Sequence, residues 1–348
     1  MKRKRLWLTI LAVVVGVLVV WQFRHSPEWR QFSWAAVWQA TAEAKAGDIF
    51  GSVVLIYTTY VIRTWRWEVL MATPGRFWPI LKGTMIGFTG TALLGRPGEL
   101  VRPYYIARKH RGGLPPQLAV WMLERMFDMS GVVLLVGLDL ALSPDIQALT
   151  RSGGYQGAFQ KAGMVLSAGI AGLMAALYLF HLRAPKVLAR LRLRQEKAPS
   201  RLRMKAEHFL ETLAQGMEGL RRGRKLAAAV ALTMLLWVTV SAAIWLAVRA
   251  YPEMLPGFGF AAGIFLMGLT AIGSVLQLPA VGGGFQVLTI FGLTKIFGAN
   301  LAEATSAALI VWLVCIYAIA PLGAALAAHE GVRLRAGSTQ ADTGGGVD

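Results

Sequence analysis

Apolar positions in this 348-residue chain fall into long unbroken runs, not into the alternations or narrow stripes of a water-soluble fold. The runs cover residues 6–23, 49–62, 118–142, 162–180, 226–248, 260–278 and 304–328. A helix crossing the hydrocarbon core needs about 20 apolar residues, and most runs come near that length. The pattern predicts an all-α polytopic membrane protein. The first run follows Met1-Lys2-Arg3-Lys4-Arg5, as a secretion signal would. No small-x-small cleavage site follows, and the chain continues through Trp21, Gln22, Phe23 and Arg24, so an uncleaved anchor is expected.

Two stretches interrupt the simple succession of spans. Residues 83–95 carry Gly83, Thr84, Gly87, Thr89, Gly90 and Thr91, and as a helix they would reach only about 20 Å. This stretch is expected to enter the membrane and turn back at Gly95-Arg96-Pro97-Gly98, where Pro and Gly break a helix. Residues 260–297 are broken at Pro279-Ala280-Val281-Gly282-Gly283-Gly284. They form either a second re-entrant pair or two full spans. Each half of the chain then has two spans, a Pro/Gly-broken hairpin and a third span, the first half starting on one side and the second on the other. That is an inverted repeat, with pseudo-repeats at about 6–142 and 160–328 inside one membrane domain, 1–336. Interrupted segments at matching places in two such halves point to a transporter's binding site. Residues 182–225 read as an amphipathic cytoplasmic helix, and 337–348 as a disordered polar tail.

Charge fixes the expected sidedness. The chain is 55% hydrophobic and 16% charged, with mean hydropathy +0.52 and a net charge of +18. In a soluble protein that excess would suggest nucleic acid. Here Lys and Arg fall where cytoplasmic loops should be, so no nucleic-acid partner is expected and anionic inner-leaflet lipid is. With the N-terminus inside, segments 1–5, 63–82, 96–116, 182–225 and 329–348 hold 28 of the 36 basic residues, and the external segments hold 4. Both termini are thus expected in the cytoplasm. The single cysteine, Cys315, can form no disulfide within the chain. The five histidines make no metal-ligand cluster, no Asp-x-Asp occurs for a nucleotide sugar, and no cofactor is called for.

Three clusters carry charge into the apolar zone: Arg96 to Arg102, Glu124-Arg125 with Asp128, and Arg63 to Glu68. A charge at a helix centre costs about 2.5–3.5 kcal/mol on insertion scales, so such groups pair or line a polar cavity. Glu124 and Asp128 share a helix face. Arg96, Arg102 or an arginine of the second span is expected to pair with Glu124 or Asp128, and Glu99 with Arg125. Arg63, Trp65, Arg66 and Trp67 read as interfacial belt and snorkelling residues. The Gly282-Gly283-Gly284 turn is either an anion-holding nest of backbone N–H groups or a tight bend between helices.

Gly95-Arg96-Pro97-Gly98-Glu99-Leu100-Val101-Arg102, followed by Glu124-Arg125-Met126-Phe127-Asp128, resembles the G-R-x-G-E-x-x-R … E-R-x-x-D pattern of the membrane region of lysylphosphatidylglycerol synthetases, a flippase-like family. Arg63-Thr64-Trp65-Arg66-Trp67 resembles its R-x-x-R-W signature, and Pro279 with Gly283-Gly284 its second Pro/Gly motif. The resemblance runs from about residue 6 to 330. It implies movement of a phospholipid or lipid-linked molecule between leaflets of a bacterial cytoplasmic membrane. The head-group candidates it implies are Arg96, Glu99, Arg102, Glu124, Arg125, Asp128, Gly283 and Gly284. Gln286 and Thr289 stand where the second motif usually continues with Gly and Glu. No soluble aminoacyl-transfer domain is expected after the last span. The competing readings are a membrane-embedded transferase, and a non-transporting partner subunit of an envelope enzyme docked through 182–225; a homo-oligomer is compatible with each.

Overall fold

In the computed structural model, residues 33–71, 75–110, 113–152, 223–278 and 282–331 are described, with scattered positions between 154 and 172. The expected span at 6–23, nearly all of that at 162–180, residues 182–222 of the cytoplasmic segment and the 337–348 tail lie outside them. The described part is helical apart from a two-residue ribbon. Its helices are α1 (Trp34–Glu43), α2 (Ala46–Leu70), α3 (Phe77–Leu94), α4 (Val101–Lys109), α5 (Leu114–Leu142), α6 (Pro144–Ser152), α7 (Gly223–Arg249), α8 (Phe260–Gly273), α9 (Gly284–Phe291), α10 (Leu301–Trp312) and α11 (Ala320–His329). Among the described residues, two stretches are long and apolar enough to cross a membrane, Gly223–Arg249 and Leu301–His329. Leu114–Leu142 with Pro144–Arg151 makes a third, bent by 83°. The chain is a multi-pass membrane protein. α2 has the length of a span, at 25 residues, but it carries Asp48, Arg63, Arg66 and Glu68.

α2 and α7 pack antiparallel along their length. The Lys45 N–H donates to Ala250 O at one end, Ser52 Oγ to Ala243 O in the middle, and Arg66 to Thr233 Oγ1 near the other end. Around this pair stand two hairpins built from opposite ends. In the first, α3 runs inward, Gly95 takes φ 69°, a 3-10 turn covers Arg96–Leu100, and α4 returns along α3. Gly83, Gly87 and Gly90 make this return possible. A Cβ on Gly87 would strike Arg102, and one on Gly83 would meet Ile106 and Tyr105 at 2.8 Å. The hairpin expectation holds, but its first arm starts at Phe77, six residues earlier than the Gly/Thr pattern suggested, because Phe77, Ile80 and Leu81 continue the apolar face. At 18 residues it reaches about 27 Å.

The second hairpin is built in the same way. α8 ends at Gly273 after 14 residues, about 21 Å against a core of about 30 Å. Ser274–Leu276 forms one 3-10 turn, Gln277–Leu278 pairs antiparallel with Gly282–Gly283, and α9 returns. A Cβ on Gly273 would collide with the backbone of Gly284, so the two arms touch through glycine. The apices of the two hairpins meet: Arg96 Nη2 donates to Ser274 O at 3.1 Å.

The basic segments gather at one end of the bundle. Glu330, just past α11, lies 2.7 Å from Lys82 on α3 and 2.8 Å from Lys109 on α4. At the opposite end Asp48 pairs with Arg249, Thr41 and Tyr251 both meet Ser306, and Phe258 stacks on Phe297. The described portions of the segments that the charge pattern groups together thus share an end. Arg63, Arg66, Arg96 and Arg102 are the exceptions. They were counted among cytoplasmic loops, but Arg63, Arg66 and Arg102 are buried and Arg96 stands exposed at the hairpin apex; the imbalance survives their removal. Exposed Trp65 and Trp78 mark the basic end and exposed Trp34 and Trp38 the other, as aromatic belts do.

Candidate functional site

Where α2, α4 and α5 converge beneath the first hairpin, the protein buries a network of arginines and carboxylates. On α5, Glu124 and Asp128 stand one turn apart, facing inward with Gln117 and Gly131. On α2, Arg63 and Arg66 fall on the stripe that also buries Ile56, Tyr60, Trp67 and Leu70. Arg102 projects from the first turn of α4, held against Gly87 of α3.

Glu124 is fully buried and holds two guanidinium groups. Arg102 Nη1 lies 2.8 Å from Oε2 and 3.0 Å from Oε1, and Arg66 Nη2 lies 2.9 Å from Oε1. The other arm of Arg66 reaches Asp128 at 2.7 Å and donates to Thr233 at 3.1 Å. Arg102 also donates to the Arg63 carbonyl and lies 4.0 Å over the ring of Trp67, whose indole N–H is taken by Gln117. Removing an ion from water costs several kcal/mol, recovered only with close geometry and full hydrogen bonding. Glu124 meets that condition.

Asp128 does so less well. Arg66, Arg125 at 3.0 Å and Arg63 at 3.6 Å surround it, yet neither of its oxygens takes an aligned hydrogen bond. It is held by charge more than by direction. Arg63 keeps its Nε and Nη1 without an acceptor and rests 4.8 Å over Phe88. Arg125 is the least tethered: it touches Asp128, Glu124 at 3.6 Å and Glu99 at 3.9 Å, and its side chain is 36% exposed.

Of the expected pairs, Arg102–Glu124, Arg66–Glu124 from the second span and Glu99–Arg125 form. Arg96 does not reach α5; at the apex it pairs with Glu99 at 3.0 Å, because its second arm is committed to Ser274 across the bundle. The interfacial reading of Arg63, Arg66 and Trp67 is corrected. All three are buried, while Trp65 alone faces outward. The signal was their register, since Arg63 and Trp67 continue the Ile56–Tyr60 stripe. Gly283 and Gly284 lie apart from this network. The Gly283 N–H is taken by Gln286 Oε1 at 2.7 Å, so that donor is already occupied. This also explains Gln286, which caps α9, and Thr289, whose hydroxyl donates to Phe285 O.

A half-open cavity of about 60 Å³ adjoins the network, lined by Gly87, Phe88, Thr91, Glu99, Arg102, Trp121, Glu124 and Arg125. No group of three or more His, Cys, Asp or Glu placed to hold a metal occurs among the described residues.

Two opposed, glycine-broken helical hairpins meeting beside a buried ionic network define a class of α-helical membrane proteins with an intramembrane polar site. Comparison with known families specifies which: the profile of the lysylphosphatidylglycerol synthase TM region matches residues 9–323, and the chain belongs to that family. No curated protein and no solved structure was found to match it.

Proposed function

We propose that the protein moves a phospholipid or lipid-linked molecule between leaflets of a bacterial cytoplasmic membrane, with the basic end of the bundle and both termini in the cytoplasm. The observation that carries the reading is the buried network of Arg63, Arg66, Arg102, Glu124, Arg125 and Asp128 opening on a cavity beside a broken hairpin. Ionisable groups this deep are expensive in lipid and characteristically mark substrate pathways. A polar head group would pass along the charged lining while its chains remain in hydrocarbon. Family membership supports the lipid; the arrangement supports transport without bond-making chemistry.

An inverted repeat accompanies this reading. α2 corresponds to α7, hairpin α3–α4 to α8–α9, and α5 to α10–α11. In its support, α11 packs Gly323 against Thr89 of the first hairpin, as α5 packs Val136 against Gly268 of the second. Gly87-Phe88-Thr89 and Gly268-Leu269-Thr270 then occupy matching turns. Such halves alternate access by moving one against the other about a shared site.

The test is leaflet exchange of fluorescent phospholipids in proteoliposomes, comparing the native protein with the Arg102→Met, Glu124→Gln double variant. The expected result is exchange by the native protein and none by the folded double variant. Exchange in proportion to folded double variant would reduce the network to packing. A native protein that moves none of several anionic, zwitterionic and isoprenoid-linked lipids would end the transport reading.

A further inference from the structure

The network is not neutral. Arg63, Arg66, Arg96, Arg102 and Arg125 stand against Glu99, Glu124 and Asp128, so five positive charges meet three negative ones. Two positive charges are in excess, and three of the five arginines are buried. Two of the guanidinium groups that line the cavity, those of Arg102 and Arg125, each keep a buried Nε–H without an acceptor. Arg102 is nonetheless fixed by Glu124, the Arg63 carbonyl and Trp67. Arg125 is free to re-orient, since it makes ion-pair contacts but no aligned hydrogen bond. A phosphodiester anion in the cavity would offset one of the two excess charges, and a small turn of the Arg125 side chain would offer it a donor that now has no acceptor.

The surroundings of Arg125 indicate where such an anion comes from. Met122 and Met129 lie three residues before and four after it, on the same outward face of α5, and Met129 is 62% exposed. Leu100, exposed at the hairpin apex, follows Glu99 of the cavity wall. The rim is apolar and the interior charged, which suits a lipid and not a free solute. About 60 Å³ of such space holds a handful of waters, enough for one phosphate inside, with a larger head group left in the open mouth.

We infer that the cavity takes the phosphate of a single-phosphate anionic lipid, that Arg125 is the group that meets it, and that the acyl chains leave sideways past Met122, Met129 and Leu100. This rests on the transport reading only for its purpose, since the site is defined by binding. When phosphate engages Arg125, Glu99 is relieved of its 3.9 Å contact and remains paired with Arg96. Asp128 keeps Arg66 and Arg63. The network can therefore give up one partner to a ligand without baring a carboxylate.

The experiment uses the full chain in lipid nanodiscs with a phosphatidylglycerol probe carrying a diazirine near the glycerol end of one acyl chain. Peptide mass spectrometry should place the adducts at Met122, Met129 or Leu100. Loss of a charge-assisted contact should lower that yield, measured per folded protein, at least about tenfold in Arg125→Gln, with partial recovery in Arg125→Lys. Phosphatidylglycerol should compete, and phosphatidylcholine and inorganic phosphate should not. Adducts elsewhere, or yields indifferent to Arg125→Gln, would overturn the inference. So would competition by free phosphate alone, which assigns the site to a soluble anion. Leaflet exchange measured on the same protein separates the two proposals. Adducts at the rim without exchange keep the site and sink the transport reading, whereas exchange with adducts elsewhere does the reverse.

Discussion

Arg66 and Glu124 meet at 2.9 Å with neither side chain exposed, so α2 and α5 are joined by an ion pair that water does not reach. Glu124 neutralises Arg102 as well, at 2.8 Å, so two buried cations depend on one carboxylate. Breaking a buried pair from one side leaves an uncompensated charge and costs about 3–5 kcal/mol, whereas replacing both partners is often near neutral. Glu124→Gln alone is therefore expected to lower the thermal unfolding temperature in detergent sharply. Adding Arg102→Met should recover most of the loss, because Arg66 then keeps Asp128. A double variant as unstable as the single would show that the network holds the fold by shape and not by charge.

The hairpin makes a steric prediction. A Cβ at Gly87 would strike Arg102, while one at Gly137 on α5 would meet nothing within 4 Å. Gly87→Ala must push α4 off α3 and is expected to destabilise by about 1–3 kcal/mol, the usual cost of overpacking. Gly137→Ala should be neutral or stabilising by up to about 1 kcal/mol, since it relieves a glycine in mid-helix. Equal effects in a thermal unfolding series would contradict the close approach.

Glu330 lies outside the spans, and its carboxyl is held down to about 2, chiefly by hydrogen bonds from Lys109 and Lys82, with Tyr105 adding a third donor. The sign follows from linkage. A depressed carboxylate contributes stability that is present above its unfolded value, about 4.3, and lost as pH falls towards 2. The stability difference between native protein and Glu330→Gln is thus expected to be constant from pH 8 to about 5 and to shrink steadily below. A difference that grew on acidification would mean that the carboxylate is not paired as described.

Much of this arrangement was legible in the sequence, for identifiable reasons. Spans announce themselves because lipid demands long apolar runs, and the first hairpin because Gly83, Gly87 and Gly90 recur where α4 must approach. Glu124, Asp128 and Arg102 stood out because charge in an apolar run requires a partner. Arg63 and Arg66 were misread because arginine beside tryptophan at a span's end is the ordinary signature of an interface. Only their register with Ile56 and Tyr60, a matter of about 100° per residue, turns them inward. The second partner of Arg96, beside Glu99, could not be read at all. It is a backbone carbonyl, at Ser274, 178 residues away, and carbonyls carry no sequence signal. Gln286 accepts from a backbone N–H, that of Gly283, a local role that sequence alone does not announce.

The last prediction concerns the two ends. Lys82, Lys109 and Glu330 are joined by contacts of 2.7 and 2.8 Å, so all three must lie on one side of the membrane. Asp48 and Arg249, 2.9 Å apart, belong to the other. Single cysteines are introduced at His110, Gly257 and Gly331 in a Cys315→Ser background and probed with an impermeant maleimide in intact spheroplasts. Because basic residues favour the cytoplasm, only Gly257→Cys is expected to label, and the other two should label once the membrane is opened. The pairing of His110 with Gly331 tests the hairpin itself, independently of orientation. If α3 crossed fully and α4 did not return, His110→Cys would label with Gly257→Cys, and the opposed hairpins with their shared site would have to be abandoned. If all three reversed together, the fold would stand and only the proposed orientation would fall.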